Sequence, residues 1–269
     1  MTSTPPPAPS PPDHFSRVAA NYASGRPGYP EALFDWLAAR CEQHALAVDV
    51  GAGTGQAALP LAKRFRRVVA TDLSADQLAN ATTTAASNID WRVAVAEDTG
   101  VAAQSADLVT VAQALHWFDL GRFWPEVRRI LKPGGVVAVW TYGVLELDEP
   151  GINDCVQSFY WNLVHPYWPA GREHVENGYA DLSFPFAREE VPPFAMECRW
   201  TLGEFLAYVR TWSAVARMAE ATGHDPVAGL GRELDALWGG AAARHVVRWP
   251  LGMRVGRVAV ARQADSGSH

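Results

Sequence analysis

Cysteine is scarce and scattered in this chain. Cys41, Cys155 and Cys198 are odd in number and far apart, so they suggest neither a disulfide framework nor a metal-binding spacing, and a reducing cytoplasm is the natural location. An excess of positive charge is missing too. With 23 basic against 29 acidic residues and a net charge of −6, no phosphate-tracking surface is expected, and nucleic acid is not an expected partner. Long hydrophobic runs are also absent: the longest are strand length, short of a membrane span. Residues 1 to 12, "MTSTPPPAPSPP", lack the apolar centre of a signal peptide and read as a disordered proline-rich tail. What the chain has in quantity is tryptophan, eleven residues, mostly beyond position 100. Such a load fills a core and equally suits the lining of an apolar pocket.

The 269 residues fit one large domain, or a domain with a sizeable insertion. From Phe15 to Ala39 the pattern is helical in two pieces, broken at "GRPGYP". Strand and helix patterns then alternate. "ALAVDV", "RVVATD", "WRVAVA", "ADLVTVAQ" and "VVAVWTY" read as strands. Helices are expected over Gln56–Phe65, from a Ser74 cap with Gln77 in the first turn to about Ala86, and from Leu120 to Leu131. This alternation predicts a doubly wound, mostly parallel α/β sheet of Rossmann-like type, with seven strands and the last one antiparallel. After Tyr142 the rhythm fails. Residues 146–193 are rich in aromatics, Pro and Gly, with a helix over Asn153–Val164, and read as a cap or substrate insertion. The core then comprises residues 13–145 and 194–263. Within its second part, "AMECRW" is a strand, 203–221 and 226–238 are helical cap elements, and "MRVGRVAVA" is a final hairpin-like strand.

The stretch "AVDVGAGTGQAA", residues 47–58, carries the strongest chemical signal. A strand enters a tight turn with Gly51, Gly53 and Gly55 on alternate positions, and a helix-forming run follows, the layout in which backbone approaches a ligand closely. Two features argue against a nicotinamide cofactor. Gln56 stands where that fingerprint places its third glycine, and Asp49 stands where a dinucleotide fold has an apolar residue. A carboxylate there suits a cationic amine, while Asp72, ending the next strand, is placed to accept both hydroxyls of a ribose. An ammonium group plus a ribose describes S-adenosyl-L-methionine. Taken singly, Asp49 or Asp72 reads better as a capping or turn residue; the pair at this spacing points to the ligand.

These residues resemble the class I S-adenosylmethionine-dependent methyltransferases over about residues 14–142. "VDVGAGTG" is similar to that family's first motif and "TDLS" to its acidic second-strand end. "SADLVTVAQALHWFD" resembles the fourth-strand motif, and "ILKPGGVVAV" the element that follows. "FSRVAANYASGRPGYP" and "FLAYVRTWSAV" further resemble a small-molecule subgroup that includes trans-aconitate methyltransferase-like proteins. The resemblance implies that backbone from Gly51 through Ala52 and Gly53 to Gly55 receives the methionine part, that Asp49 holds its amino group and Asp72 the ribose, and that Leu73 packs on the adenine. The family often has an acid followed by Ala after the third strand. Here "VAED" puts Val95 at the acid position, so either Glu97 or Asp98 substitutes or the Ala96 amide alone reads the ring.

Methyl transfer from a sulfonium is an in-line displacement, so the protein chiefly aligns the groups and excludes water. Gln113, His116 and Trp117 lie at the carboxyl end of the fourth strand, where open parallel sheets bind ligands. His116 is either a proton acceptor or a pocket wall, and Trp117 a packing wall or a recognition element. Tyr22 and Arg26 read as a lid over the cofactor, with Arg26 facing a carboxylate. Tyr160 and Trp212 are candidates for the acceptor pocket or for plain core. No metal is expected. The function expected is methyl transfer from S-adenosylmethionine to a small molecule, on a carboxylate or hydroxyl. The rivals are a non-catalytic binder of the same cofactor and a nucleotide-dependent oxidoreductase.

Overall fold

A computed structural model describes residues 27–81 and 86–259. Its centre is five parallel strands: β1 (Leu46–Val50), β2 (Arg67–Asp72), β3 (Ile89–Val93), β4 (Ala106–Ala112) and β5 (Leu131–Tyr142). Helices α1 (Glu31–Ala38), α2 (Ala58–Ala62), α3 (Ala75–Ala81) and α4 (Leu120–Ile130) surround and connect them. The main path runs β3-β2-β1-β4-β5-β9-β6, where β6 is Glu146–Leu147 and β9 is His245–Arg257, antiparallel to β5. Strand order reverses between β1 and β4, which opens a crevice above their carboxyl ends.

The sequence of the central strands explains their place. β4, "ADLVTVA", is buried almost throughout, as a strand covered on both faces must be. Alternate side chains then enter two cores. Ala47, Leu108, Ala138 and Trp140 join one, and Val48, Val109, Val137 and Val139 join the other. Local signals fix the connections. The Gln77 amide donates to Ser74 Oγ at the start of α3, and Asp119 caps α4 by accepting from the Gly121 amide.

Beyond β5 the chain builds the cap region. α5 (Pro150–Ser158) runs into a π-helical turn over Phe159–Val164 and a 3-10 turn over His165–Tyr167. Then come α6 (Arg172–Glu176), β7 (Ala187–Arg188), β8 (Ala195–Trp200), α7 (Leu202–Val209), α8 (Ser213–Thr222) and α9 (Pro226–Asp235). Several elements differ from their sequence reading, three of them with a clear physical reason. The helix expected from Asn153 starts at Pro150, because proline suits a first helical turn. The helix expected over 203–221 is two, separated where Trp212 turns into the core. The last strand begins at His245 rather than near Met253. Its first half pairs with β8 and β6 while its second half pairs with β5 and β7. Arg248 and Pro250 break the apolar alternation there and hide that half in the sequence. Pro192 and Pro193, which lack an N–H, separate β7 from β8 along the same edge. Among the described residues, no helix is long and apolar enough to cross a membrane.

Candidate active site

Three glycines shape the turn after β1, each at positive φ: Gly51 at 70°, Gly53 at 55° and Gly55 at 87°. Their neighbours separate their roles. A side chain at Gly51 would collide with Ala114 Cβ at 2.6 Å, and one at Gly55 with the Trp91 ring at 2.5 Å, whereas Gly53 faces open space. So Gly51 and Gly55 let protein pack on the turn, and Gly53 leaves room beside it. The amides of Gly51 and Ala52 donate to the Thr71 carbonyl at 2.8 and 2.9 Å. The Gly53 amide donates to Asp72 Oδ2 at 2.8 Å, and the Gly55 amide to the Ala52 carbonyl at 2.9 Å. The turn is held by its own hydrogen bonds, and what it offers a ligand is close approach.

Asp72 stands at the end of β2 with its other oxygen accepting from the Ser74 amide at 2.8 Å. Two backbone donors fix the carboxylate and leave each oxygen with further acceptor capacity. Leu73 beside it is 63% exposed, unusual for a large aliphatic residue and suited to lying against a flat ring. Ala96 is buried. Glu97 accepts from the Asp119 amide at 2.8 Å and so clamps the start of α4.

Asp49 is the anomaly of the site. It is 1% exposed, and its Oδ1 accepts from Thr110 Oγ1 at 2.8 Å across the β1–β4 register. Oδ2 is buried with no hydrogen-bond partner, and the Ala58 amide near the carboxyl group acts to lower its pKa. Burial pushes its pKa up to about 7, against 3.8 ordinarily, a shift that Thr110 opposes and the Asp72 charge reinforces. The other buried acids are fully engaged. Asp107 holds two amides and Lys132, and Glu126 holds Thr99 and Arg129. A buried carboxylate with one oxygen left over fits a cationic ligand group, which is the donor the methionine ammonium of S-adenosylmethionine would supply.

The loop after β4 packs on the same turn, since Ala114 and Phe118 are the groups that approach Gly51. Gln113, at a positive φ of 58°, is locked to β5: its Nε2 donates to the Tyr142 carbonyl at 3.1 Å, and its Oε1 accepts from Thr141 at 2.7 Å. His116 Nδ1 lies 3.0 Å from the Tyr179 hydroxyl. Burial lowers its basicity to about 4, helped by His174 and Arg172 and opposed by Glu173, so the ring is neutral at pH 7. Trp117 is 57% exposed, its ring 4.7 Å from that of His116. Tyr160 and Trp212 meet inside the cap core at 5.6 Å between ring centres, with Trp168 against both. Arg172 links this cluster to the His116 side: it stacks on Trp168 and donates to the Tyr160 hydroxyl, which in turn bonds Glu176. Tyr22 and Arg26 lie outside the described residues.

Sequence reasoning missed Thr110, Thr141, Tyr179 and Arg172. The two threonines had a signal, as polar residues in buried strands. Tyr179 and Arg172 had none, because they belong to the segment where periodicity fails.

Comparison with known proteins agrees with this geometry. A family model described as a methyltransferase domain matches residues 48–139. A Dictyostelium discoideum protein provisionally named a methyltransferase is 31% identical over 216 residues, 79% of this chain and 81% of its own. An uncharacterised methyltransferase of Mycobacterium tuberculosis is 38% identical over 127 residues, about half of either protein. A solved structure from Anaeromyxobacter dehalogenans, provisionally described as a type II methyltransferase, superimposes with a TM-score of 0.82 at 43% identity, covering 87% of this chain and 98% of that one. With the glycine turn, the Asp72 anchor and the half-partnered Asp49 in place, this chain belongs to the class I S-adenosylmethionine-dependent methyltransferases.

Proposed function

We propose that the enzyme methylates a small molecule at a hydroxyl oxygen; the resemblance of its first and last helical motifs to trans-aconitate methyltransferase-like proteins, whose namesake acceptor is a carboxylate, gives a carboxylate as the alternative. The observation that supports this most is His116: a neutral imidazole on the loop that packs against the glycine turn, beside an aromatic wall. A hydroxyl carries its proton at pH 7 and needs a base in the transition state, and a neutral histidine is free to act as one. The cofactor supplies a methyl already activated by its sulfonium charge. Asp49, Asp72, Leu73 and the turn from Gly51 to Gly55 hold it, and Ala96 is read against its adenine edge. On sequence grounds Tyr22 and Arg26 close over it. Residues 146–193, with the helices near 203–240, form the acceptor-side cap, with Trp117 as its exposed wall beside His116 and Tyr160 and Trp212 in the core of that cap. Arg172, facing the His116 side, favours a second reading in which the acceptor is a carboxylate.

The test offers the enzyme S-adenosylmethionine labelled in the methyl group, with panels of small hydroxyl compounds and small carboxylic acids. Label should enter the small-molecule fraction; label found only in added protein or nucleic acid would sink the reading. His116→Asn then sorts the acceptor. A fall in turnover of about 10²–10⁴-fold at unchanged cofactor affinity marks a hydroxyl. A rise mainly in KM, with Arg26→Ala more damaging, marks a carboxylate, which is already ionised.

A further inference from the structure

The cap holds a polar cluster that methyl transfer from the sulfonium does not call on. Its hydrogen bonds run one way. The Tyr160 hydroxyl gives its one proton to Glu176 Oε1, since a carboxylate only accepts, and takes the single Nε proton of Arg172 at 2.9 Å. His165 Nε2 lies 3.2 Å from the second Glu176 oxygen. The Arg172 guanidinium is thus held at Nε and against the Trp168 ring, 4.4 Å from the ring centre. The N–H groups on its two terminal nitrogens have no acceptor among the described residues, although the side chain is only 21% exposed. Trp168 supplies a second idle donor: its Nε1 is buried and has no partner among the described residues either. Buried donors of this kind cost free energy unless something outside the chain accepts from them. Tyr160 itself sits in the π-helical turn Phe159–Val164, a rare backbone form that recurs at functional sites. The cluster also stands beside the crevice. A Cβ on Gly143, just past β5, would meet the Val175 carbonyl at 3.5 Å and Glu176 at 3.6 Å, so α6 lies over the carboxyl end of the sheet. Three residues beyond α6, the Tyr179 hydroxyl lies 3.0 Å from His116 Nδ1.

We propose that Arg172 and Trp168 form a subsite that binds a carboxylate of the acceptor. This rests on the reading that the enzyme acts on a small molecule. Idle donors around a fixed guanidinium call for a partner that only accepts and is negatively charged, and the planar edge formed by the two terminal nitrogens matches a carboxylate. Glu176 already balances part of the arginine charge, its Oε1 lying 3.4 Å from Nε. A partner with one negative charge therefore suits the cluster better than a phosphate monoester with nearly two. The segment carrying Arg172 is firmly seated: a Cβ on Gly252 of β9 would stand 2.5 Å from Gly178 Cα, and the Tyr179 carbonyl accepts from Arg254 at 2.6 Å. An arginine braced at Nε, stacked on a ring and carried on a fixed segment loses little freedom when it binds. Joined to the hydroxyl reading, the subsite makes the acceptor a hydroxy acid, anchored by its carboxylate and methylated at its hydroxyl.

The test is calorimetry on the full chain saturated with S-adenosylhomocysteine, using hydroxybenzoates and short aliphatic hydroxy acids, each paired with its primary amide, and 4-hydroxyphenyl phosphate. At least one acid should bind about tenfold or more tightly than its amide. Arg172→Gln should erase that preference with S-adenosylhomocysteine affinity unchanged, which shows that the variant is folded. Arg172→Lys, which keeps the charge without the planar edge, should restore only part of it. Trp168→Phe keeps the ring, removes the N–H, and should weaken the acid more than the amide. No acid bound more tightly than its amide overturns the proposal, and so does a preference that survives both Arg172→Gln and Trp168→Phe. The phosphate monoester bound more tightly than every acid overturns the carboxylate assignment. No methyl moves in these complexes, so the result is independent of which atom is methylated. Methyl-labelled S-adenosylmethionine decides that separately: label stable to mild alkali marks the hydroxyl, while an alkali-labile methyl ester removes the hydroxyl reading and leaves the subsite standing.

Discussion

Replacing Asp49 with Asn should reverse its sign with pH, because a buried carboxylate at this position opposes folding once it is charged. The group titrates near 3.8 in an ordinary setting and near 7 when buried here. The folded protein therefore holds a proton on Asp49 that the unfolded chain has released between those values, and stability falls as pH rises through that window. Carried to full ionisation, the gap corresponds to about 4 kcal/mol. Below pH 4 the contribution is intact; above pH 7 it is lost. Asn preserves the acceptor for Thr110 Oγ1 and removes the titration, at a cost of about 1–3 kcal/mol if its new N–H finds no partner. Urea unfolding of the cofactor-free protein from pH 5 to pH 8 should show the wild type losing ground steadily to Asp49→Asn. Taking the difference between the two proteins cancels the titrating groups that do not interact with Asp49. A difference curve that is flat across this range would refute the argument. The ligand side follows from the same charge: cofactor binding near pH 6 should release a proton, measurable from the buffer dependence of the binding heat, and Asp49→Asn should abolish that release.

Two further substitution sets separate cofactor contact from fold. Asp72→Asn should weaken S-adenosylmethionine binding by about 1.5–3 kcal/mol by calorimetry, since it removes a charged acceptor and disturbs the amides of Gly53 and Ser74. Gly53→Ala and Gly55→Ala should divide: the first faces open space and should cut cofactor affinity about tenfold or more with about 1–2 kcal/mol of backbone strain. The second drives a methyl into Trp91 and should lose about 1–3 kcal/mol of stability in urea unfolding whether or not cofactor is present.

The candidate cofactor side could be proposed from sequence because it is nearly contiguous. Asp49, Gly51, Gly53, Gly55, Asp72 and Leu73 fall within one strand-turn-helix-strand unit, whose geometry is fixed by φ values only glycine adopts readily and by the two-residue period of β1 and β2. What the spacing could not reveal is how the parts are used. Asp72 is braced by Gly53 and Ser74, Glu97 clamps α4 through Asp119, and the turn's amides are already committed. The acceptor side is different in kind. His116 meets Tyr179 across 63 positions, and Arg172 reaches the Tyr160–Trp168 cluster from a five-residue helix in a stretch with no periodicity. No local rule connects such residues; only the tertiary fold does.

One class of signal bridges the two halves, and it lies in the threonines. Thr71, Thr110 and Thr141 are each wholly buried near the carboxyl end of a central strand, where the surrounding residues are mainly aliphatic. A hydroxyl in such a place costs free energy unless a partner compensates it, so its presence implies a polar neighbour that the strand itself does not supply. Thr110 meets Asp49, and Thr141 meets Gln113. Thr71 offers its carbonyl to Gly51 and Ala52 while its hydroxyl has no partner, which leaves a spare donor in the core beside the turn. Valine would fill each position at least as well by packing alone. The hydroxyls are therefore better explained by the site than by the sheet. Thr71→Val supplies the discriminating case. If the unpaired hydroxyl serves no ligand, its removal should raise stability by about 1 kcal/mol in urea unfolding and leave cofactor affinity unchanged. A loss of affinity with that gain would assign Thr71 to the cofactor site as well.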